Sequence, residues 1–177
     1  MSKAFTRESD DAPEEPRPLR PAATLPPGAK NYFTPDGAER MRKELERLSQ
    51  TWRPPLAAAA ATGDAEARRQ LRALDQRIGQ LQQALSTAVV VPPPSAAEER
   101  ERVKFGATVV VRERSGEVVT YRIVGADETD LDRGWVSWVS PIARALLNAR
   151  AGERVRFKFP AGEEELEIVS VAYGAEE

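Results

Sequence analysis

The chain has 177 residues, 41% hydrophobic and 31% charged, with a formal net charge of -2 and neither Cys nor His. That inventory excludes disulfides, thiol nucleophiles, imidazole bases and thiolate or imidazole metal sites, so any metal would be a hard ion such as magnesium on carboxylates. The length suits one medium domain or two small ones, and the longest apolar tracts, residues 57–61 and 89–91, are far too short to span a membrane.

Residues 1–30 are rich in Pro and charge, with Phe5 the only aromatic. Such a segment buries too little apolar surface to offset its ordering entropy, so a disordered leader is expected. It lacks the apolar core of a signal peptide, which makes the cytoplasm the expected location. Order is expected to begin at Asn31-Tyr32-Phe33. Thr34 suits an N-cap, Pro35 the first helical position and Asp36 the positive helix terminus.

Over residues 36–86 two apolar stripes face a short turn at Thr62-Gly63-Asp64. Met41, Leu45, Leu48 and Trp52 recur at four, three and four. Leu71, Leu74, Ile78, Leu81 and Leu85 recur at three, four, three and four. These are coiled-coil seam spacings, and two such arms joined by a Gly-containing turn bury both seams by pairing antiparallel. The expectation is a helical hairpin that needs no second chain, hence a monomer. Pro54-Pro55 should bend or interrupt the first arm and open a second short helix, and the Ala tract at 57–61 should let the arms approach closely. Arg68, Arg69, Arg72 and Arg77 lie off the second seam, either as a solvated face or as a basic patch beside a nucleic-acid backbone. Residues 36–86 carry nine basic and seven acidic side chains, residues 87–177 twelve and sixteen. Neither balance supports strong nonspecific duplex binding.

Pro92-Pro93-Pro94 marks a semi-rigid linker over residues 89–103. Beyond it the pattern alternates, with strands expected near 105–112, 117–125, 135–139, 154–159 and 164–172. Turns are expected at Ser115-Gly116 and Pro160-Ala161-Gly162, and a short helix capped by Ser140 with Pro141 at its first position. Trp135 and Trp138, three apart in a strand, should face opposite sides, leaving either one exposed or both packed. The fold class expected is α+β: a helical hairpin at 31–88, then an antiparallel sheet with one short helix at 104–174.

Phe105-Gly106-Ala107-Thr108-Val109, Tyr121-Arg122-Ile123-Val124-Gly125 with Asp127-Glu128, Ser140-Pro141-Ile142-Ala143-Arg144-Ala145-Leu146-Leu147, Pro160-Ala161-Gly162 and Glu167-Ile168-Val169 follow one another in an order that resembles the Gre (GreA/GreB) transcript-cleavage factors of bacterial RNA polymerase. Residues 1–9 and the start at Asn31 also look GreB-like. The resemblance implies an N-terminal antiparallel coiled-coil hairpin and a C-terminal FKBP-like domain. In the family that domain docks beside the polymerase secondary channel and the hairpin enters it. Tip carboxylates there help hold magnesium and a water at the polymerase's own active site, promoting hydrolysis of backtracked RNA. The protein would then be a regulator of polymerase rather than an enzyme.

The resemblance places the acidic tip at Asp64 and Glu66, and polymerase docking at Val139, Ser140, Pro141 and Arg144. Read as a basic patch, Arg68, Arg69 and Arg72 off the second seam would lie near nucleic acid. The tip departs from the family: Gly63-Asp64 is present, but Ala65-Glu66-Ala67-Arg68 follows where the family carries a Ser/Lys-Glu-Asn-Ala-Glu/Asp-Tyr type of run, and both flanks of the turn look shortened. Val139 also stands where an acidic residue usually precedes the Ser-Pro. The reading is a polymerase-binding elongation regulator with cleavage stimulation weakened or lost, against an active cleavage factor using Asp64 and Glu66. From another class, an FKBP-like fold admits a prolyl isomerase or chaperone module, on fold alone.

Overall fold

The structure is a computed structural model that describes residues 25–174. The leader expected over residues 1–30 therefore lies outside the described residues up to residue 24.

Thr34 begins the first helix: its hydroxyl accepts from the Gly37 amide at 3.0 Å, with Pro35 at the first helical position. Helix α1 (Pro35–Arg47) runs into a π-helical stretch, Leu48–Trp52, and then into α2 (Arg53–Ala61). A turn carries the chain to α3 (Ala65–Ser86), and Gly63 supplies the left-handed residue it needs, at φ 101°. The interruption expected at Pro54-Pro55 is instead this widened turn. Those prolines have no N–H for the carbonyls one turn back. The Arg53 amide bonds to the Leu48 carbonyl five residues earlier, so helical continuity survives.

The arms run antiparallel. Arg77 pairs with Glu44 at 2.9 Å, Arg53 with Asp75 at 2.8 Å, and the Arg68 guanidinium donates to the Ala60 carbonyl at 3.2 Å. Between them Met41, Leu48, Leu74, Ile78 and Leu81 form a buried seam, with Leu45, Trp52, Leu56 and Leu85 packed against it. Burying each such side chain contributes roughly 1.5–3 kcal/mol. Close to the turn the seam narrows to buried Ala60 and Ala67, whose small side chains permit close approach.

At the open end of the helix pair, β1 (Asn31–Phe33) and β2 (Ala88–Val90) form a two-stranded parallel sheet. The chain continues through a four-residue helix, α4 (Ala97–Arg100), and enters the second unit at Val103, which is fully buried and bonded in both directions to the 148–149 segment.

The second unit is a five-stranded sheet made of β3 (Thr108–Glu113), β4 (Val118–Val124), β5 (Trp135–Ser137), β6 (Arg154–Phe159) and β7 (Gly162–Ala172), in the order β5-β4-β3-β7-β6. Helix α5 (Pro141–Leu146) packs on it through buried Ala143 and Leu146. Four of the five strands pair antiparallel as expected, but β5 runs parallel to β4. The sheet is therefore mixed rather than antiparallel. The reason lies in the connection over residues 125–134, which contains two 3-10 turns and carries the chain back alongside β4 before β5 begins. The fold is mixed helix and sheet. Trp135 is buried, and Trp138 lies one residue beyond β5, packed edge-on against Tyr32 with ring centroids 5.1 Å apart, so both tryptophans are packed. No helix among the described residues is long and apolar enough to cross a membrane.

Candidate functional site

The turn joining α2 and α3 holds the two carboxylates singled out in the sequence. Asp64 is the N-cap of α3: one carboxylate oxygen, Oδ1, accepts from the Glu66 amide at 2.9 Å and the Ala67 amide at 3.0 Å. Such a cap satisfies amides that have no partner within the helix, and its charge suits the helix dipole. Glu66, in the first turn, is clamped by Arg69, while its other oxygen accepts from the Gln70 side chain at 3.2 Å. Both acidic residues are exposed.

The basic residues behave differently from one another. Arg68 braces the turn by reaching back to α2, Arg69 is engaged by Glu66, and the Arg72 guanidinium turns onto the Arg68 carbonyl at 3.4 Å on an exposed face. Among the described residues no three acidic side chains converge as a metal site. The one carboxylate oxygen at the tip without a helix-turn bond is Asp64 Oδ2. It is a hard donor of the kind magnesium takes, but a single one.

Val139, Ser140, Pro141 and Arg144 lie together at the start of α5. The Ser140 hydroxyl accepts from the Ala143 amide at 3.3 Å, which starts the helix, and Pro141 and Arg144 are exposed on its outer face. Val139 is half-buried and its amide bonds to Ser137 Oγ at 3.4 Å.

Sequence reasoning did not find the junction between the helix pair and the sheet. Glu128 is buried there, with its side chain 1% exposed. Its carboxylate accepts from the Thr34 amide at 2.9 Å, the Thr34 hydroxyl and the Gly125 amide at 3.0 Å, and Arg40 lies 3.7 Å away. Beside it, Arg122 pairs with Asp36 at 2.6 Å. Arg40 and Arg122 both lie over the Trp135 ring, 4.6 and 5.2 Å from its centroid. Partial burial alone would raise the Asp36 pKa. The hydrogen bonds and charge of Arg122, its own backbone bond and Arg40 outweigh that and hold the carboxyl below the ordinary value.

Two family models match along this chain: residues 31–90 match "Transcription elongation factor, N-terminal", and residues 98–173 match "Transcription elongation factor, GreA/GreB, C-term". The chain belongs to the GreA/GreB family of transcription elongation factors. Among curated relatives, it is 40% identical to transcription elongation factor GreB of Neisseria meningitidis serogroup A, over 81% of this chain and 94% of that protein. It is 43% identical to GreA of Alkalilimnicola ehrlichii, over 82% of this chain and 99% of that protein. A solved GreA/GreB factor from Nitrosomonas europaea is also similar, at 25% identity over 81% of this chain and 100% of that one, with a TM-score of 0.39.

Proposed function

We propose that this Gre-family factor binds bacterial RNA polymerase at its secondary channel and inserts the helix pair there as a coiled-coil hairpin. Its FKBP-like C-terminal unit docks through Ser140, Pro141 and Arg144, and cleavage of backtracked RNA is stimulated weakly or not at all. The observation that carries this reading is the state of the tip. Asp64 is engaged in capping α3 and Glu66 is held by Arg69 and Gln70. That leaves Asp64 Oδ2 as a single donor, and bringing Glu66 beside it onto a magnesium shared with the polymerase would break its ion pair with Arg69.

Both flanks of the turn are short against the family's pattern, and each helical turn missing from the arms stops the tip about 5 Å short at about 1.5 Å per residue. A carboxylate acts on a metal or its water only within ligand distance, so a deficit of that size removes the chemistry while leaving occupancy of the channel intact. Arg68, Arg69 and Arg72, on the exposed side of α3, would then lie along nucleic acid within the complex.

Two observations favour a second reading, an active cleavage factor. Asp64 Oδ2 is not used by the cap, and curated relatives with 40–43% identity extend over nearly their whole length. The two separate in a competition experiment with polymerase halted on a backtracked transcript and a cleavage-competent GreB added. The proposed function predicts that this protein displaces GreB and lowers the cleavage rate in proportion to occupancy. Undiminished cleavage at saturating protein overturns it.

A further inference from the structure

We propose that Glu128 is a positioning residue that sets the angle of the helix pair on the C-terminal sheet. Its functional consequence rests on the proposal that the tip is delivered into the polymerase channel. The carboxylate is bonded from both sides of the junction. From the helix pair come the Thr34 amide and hydroxyl, and from the end of β4 comes the Gly125 amide. The Thr34 hydroxyl is also the N-cap of α1, accepting from the Gly37 amide, so its proton is directed onto Glu128. One hydroxyl therefore starts the helix and latches it.

Two glycines point to the same conclusion. Neither Gly37, inside α1, nor Gly125, at φ -63°, has a backbone conformation that demands glycine, and glycine weakens a helix relative to alanine. What they provide is room. A Cβ on Gly37 would lie 1.5 Å from Glu128 Oε1, and one on Gly125 would lie 2.0 Å from the Tyr32 carbonyl and 2.8 Å from Glu128 Oε2. The neighbouring Asp127 extends the latch to the second arm: Asn31 Nδ2 donates to Asp127 at 3.1 Å and to Thr87, just past the end of α3, at 3.2 Å. Both arms are thus tied to the Asp127-Glu128 pair.

The 22 residues of α3 make a lever about 33 Å long. A loosening of about 10° at the base moves the tip by about 6 Å, more than a metal ligand tolerates.

The test uses the absence of cysteine in the chain. Spin labels at Thr62→Cys, on the tip, and Arg114→Cys, on the exposed β3–β4 turn, report the distance between tip and sheet in the full-length protein by pulsed EPR. Glu128→Ala should shift or broaden that distribution by about 6 Å while circular dichroism stays native. Glu128→Gln should stay near the parent. It keeps one oxygen for the two amides, and its amide nitrogen can donate to the Thr34 hydroxyl, which has a second lone pair. An unchanged distribution in Glu128→Ala overturns the proposal. If that variant fails to fold, Thr34→Val, which removes both the bond to Glu128 and the α1 cap, decides instead, with Thr34→Ser, which keeps both, as its control: a broadened distribution in Thr34→Val with helix circular dichroism unchanged supports the proposal, and the parent distribution overturns it. In the complex, a photocrosslinker at residue 62 separates the two claims. No crosslink between the parent and the walls of the polymerase secondary channel refutes channel delivery, and the EPR comparison still decides the role of Glu128.

Discussion

Replacing Asp64 by Ala and by Asn separates a structural carboxylate from a catalytic one. Ala removes an oxygen that accepts two amides at the start of α3. Losing an N-cap of this kind costs about 1 kcal/mol within a range of roughly 0.5–2, and losing the charge at the helix N-terminus adds about 0.3–1. For a protein of this size each kcal/mol lowers the melting temperature by about 2–4 °C, so Asp64→Ala should melt about 2–12 °C below the parent. Asn keeps the accepting oxygen and loses only the charge, which places it within about 1–4 °C of the parent. Thermal melts followed by helix circular dichroism read both values. Polymerase binding and RNA cleavage should be unchanged in either variant, because the carboxylate serves the helix. The reasoning is refuted if Asp64→Ala melts with the parent, or if Asp64→Asn keeps its stability and abolishes polymerase-dependent cleavage.

Other outcomes follow from the same geometry. Gly125→Ala should destabilise by at least about 1–3 kcal/mol in denaturant unfolding, because its Cβ meets the Tyr32 carbonyl backbone. Gly79→Ala, inside α3 with nothing within 4 Å of the new methyl, should stabilise by about 0.5–1 kcal/mol. The Asp36–Arg122 pair holds the Asp36 carboxyl below its ordinary value of 3.8. Its contribution is therefore present above that pH and lost as acid titrates the folded carboxyl. The stability gap between the parent and Asp36→Asn should be full at neutral pH and close below about pH 3.8. Glu113 is the opposite case: desolvation and the neighbouring Glu164 and Glu117 raise it above 4.5, so its ionisation opposes folding. Glu113→Gln should raise the melting temperature at neutral pH and give no gain well below pH 4.5.

The two arms and most of the strands were legible because each rests on a local period. Leu74, Ile78 and Leu81 repeat with the helix, and Val155 and Phe157 alternate with Arg154, Arg156 and Lys158 along β6. The caps at Thr34 and Ser140 were legible for the same reason, since the bond spans only three residues. What escaped depends on residues far apart in the chain. The pairing of β1 with β2 joins Asn31 to Ala88, and the Glu128 latch reaches across 94 positions to Thr34. No periodicity announces either. Gly37 was a usable hint, since a glycine inside a well-capped amphipathic helix points to a close neighbour. The parallel β5 was hidden because alternation gives a strand's faces but not its direction. At the tip, the sequence placed Asp64 and Glu66 correctly beside the turn. Which bonds they make depended on where α3 starts, and that is one residue after Asp64.

The central claim is that the protein occupies polymerase without supplying a cleavage tip. The direct measurement is a time course of RNA shortening in a backtracked complex at saturating protein, with binding confirmed on the same sample. The account predicts bound protein and a cleavage rate near that of polymerase alone. Rapid shortening that disappears in Asp64→Asn, with binding retained, contradicts it.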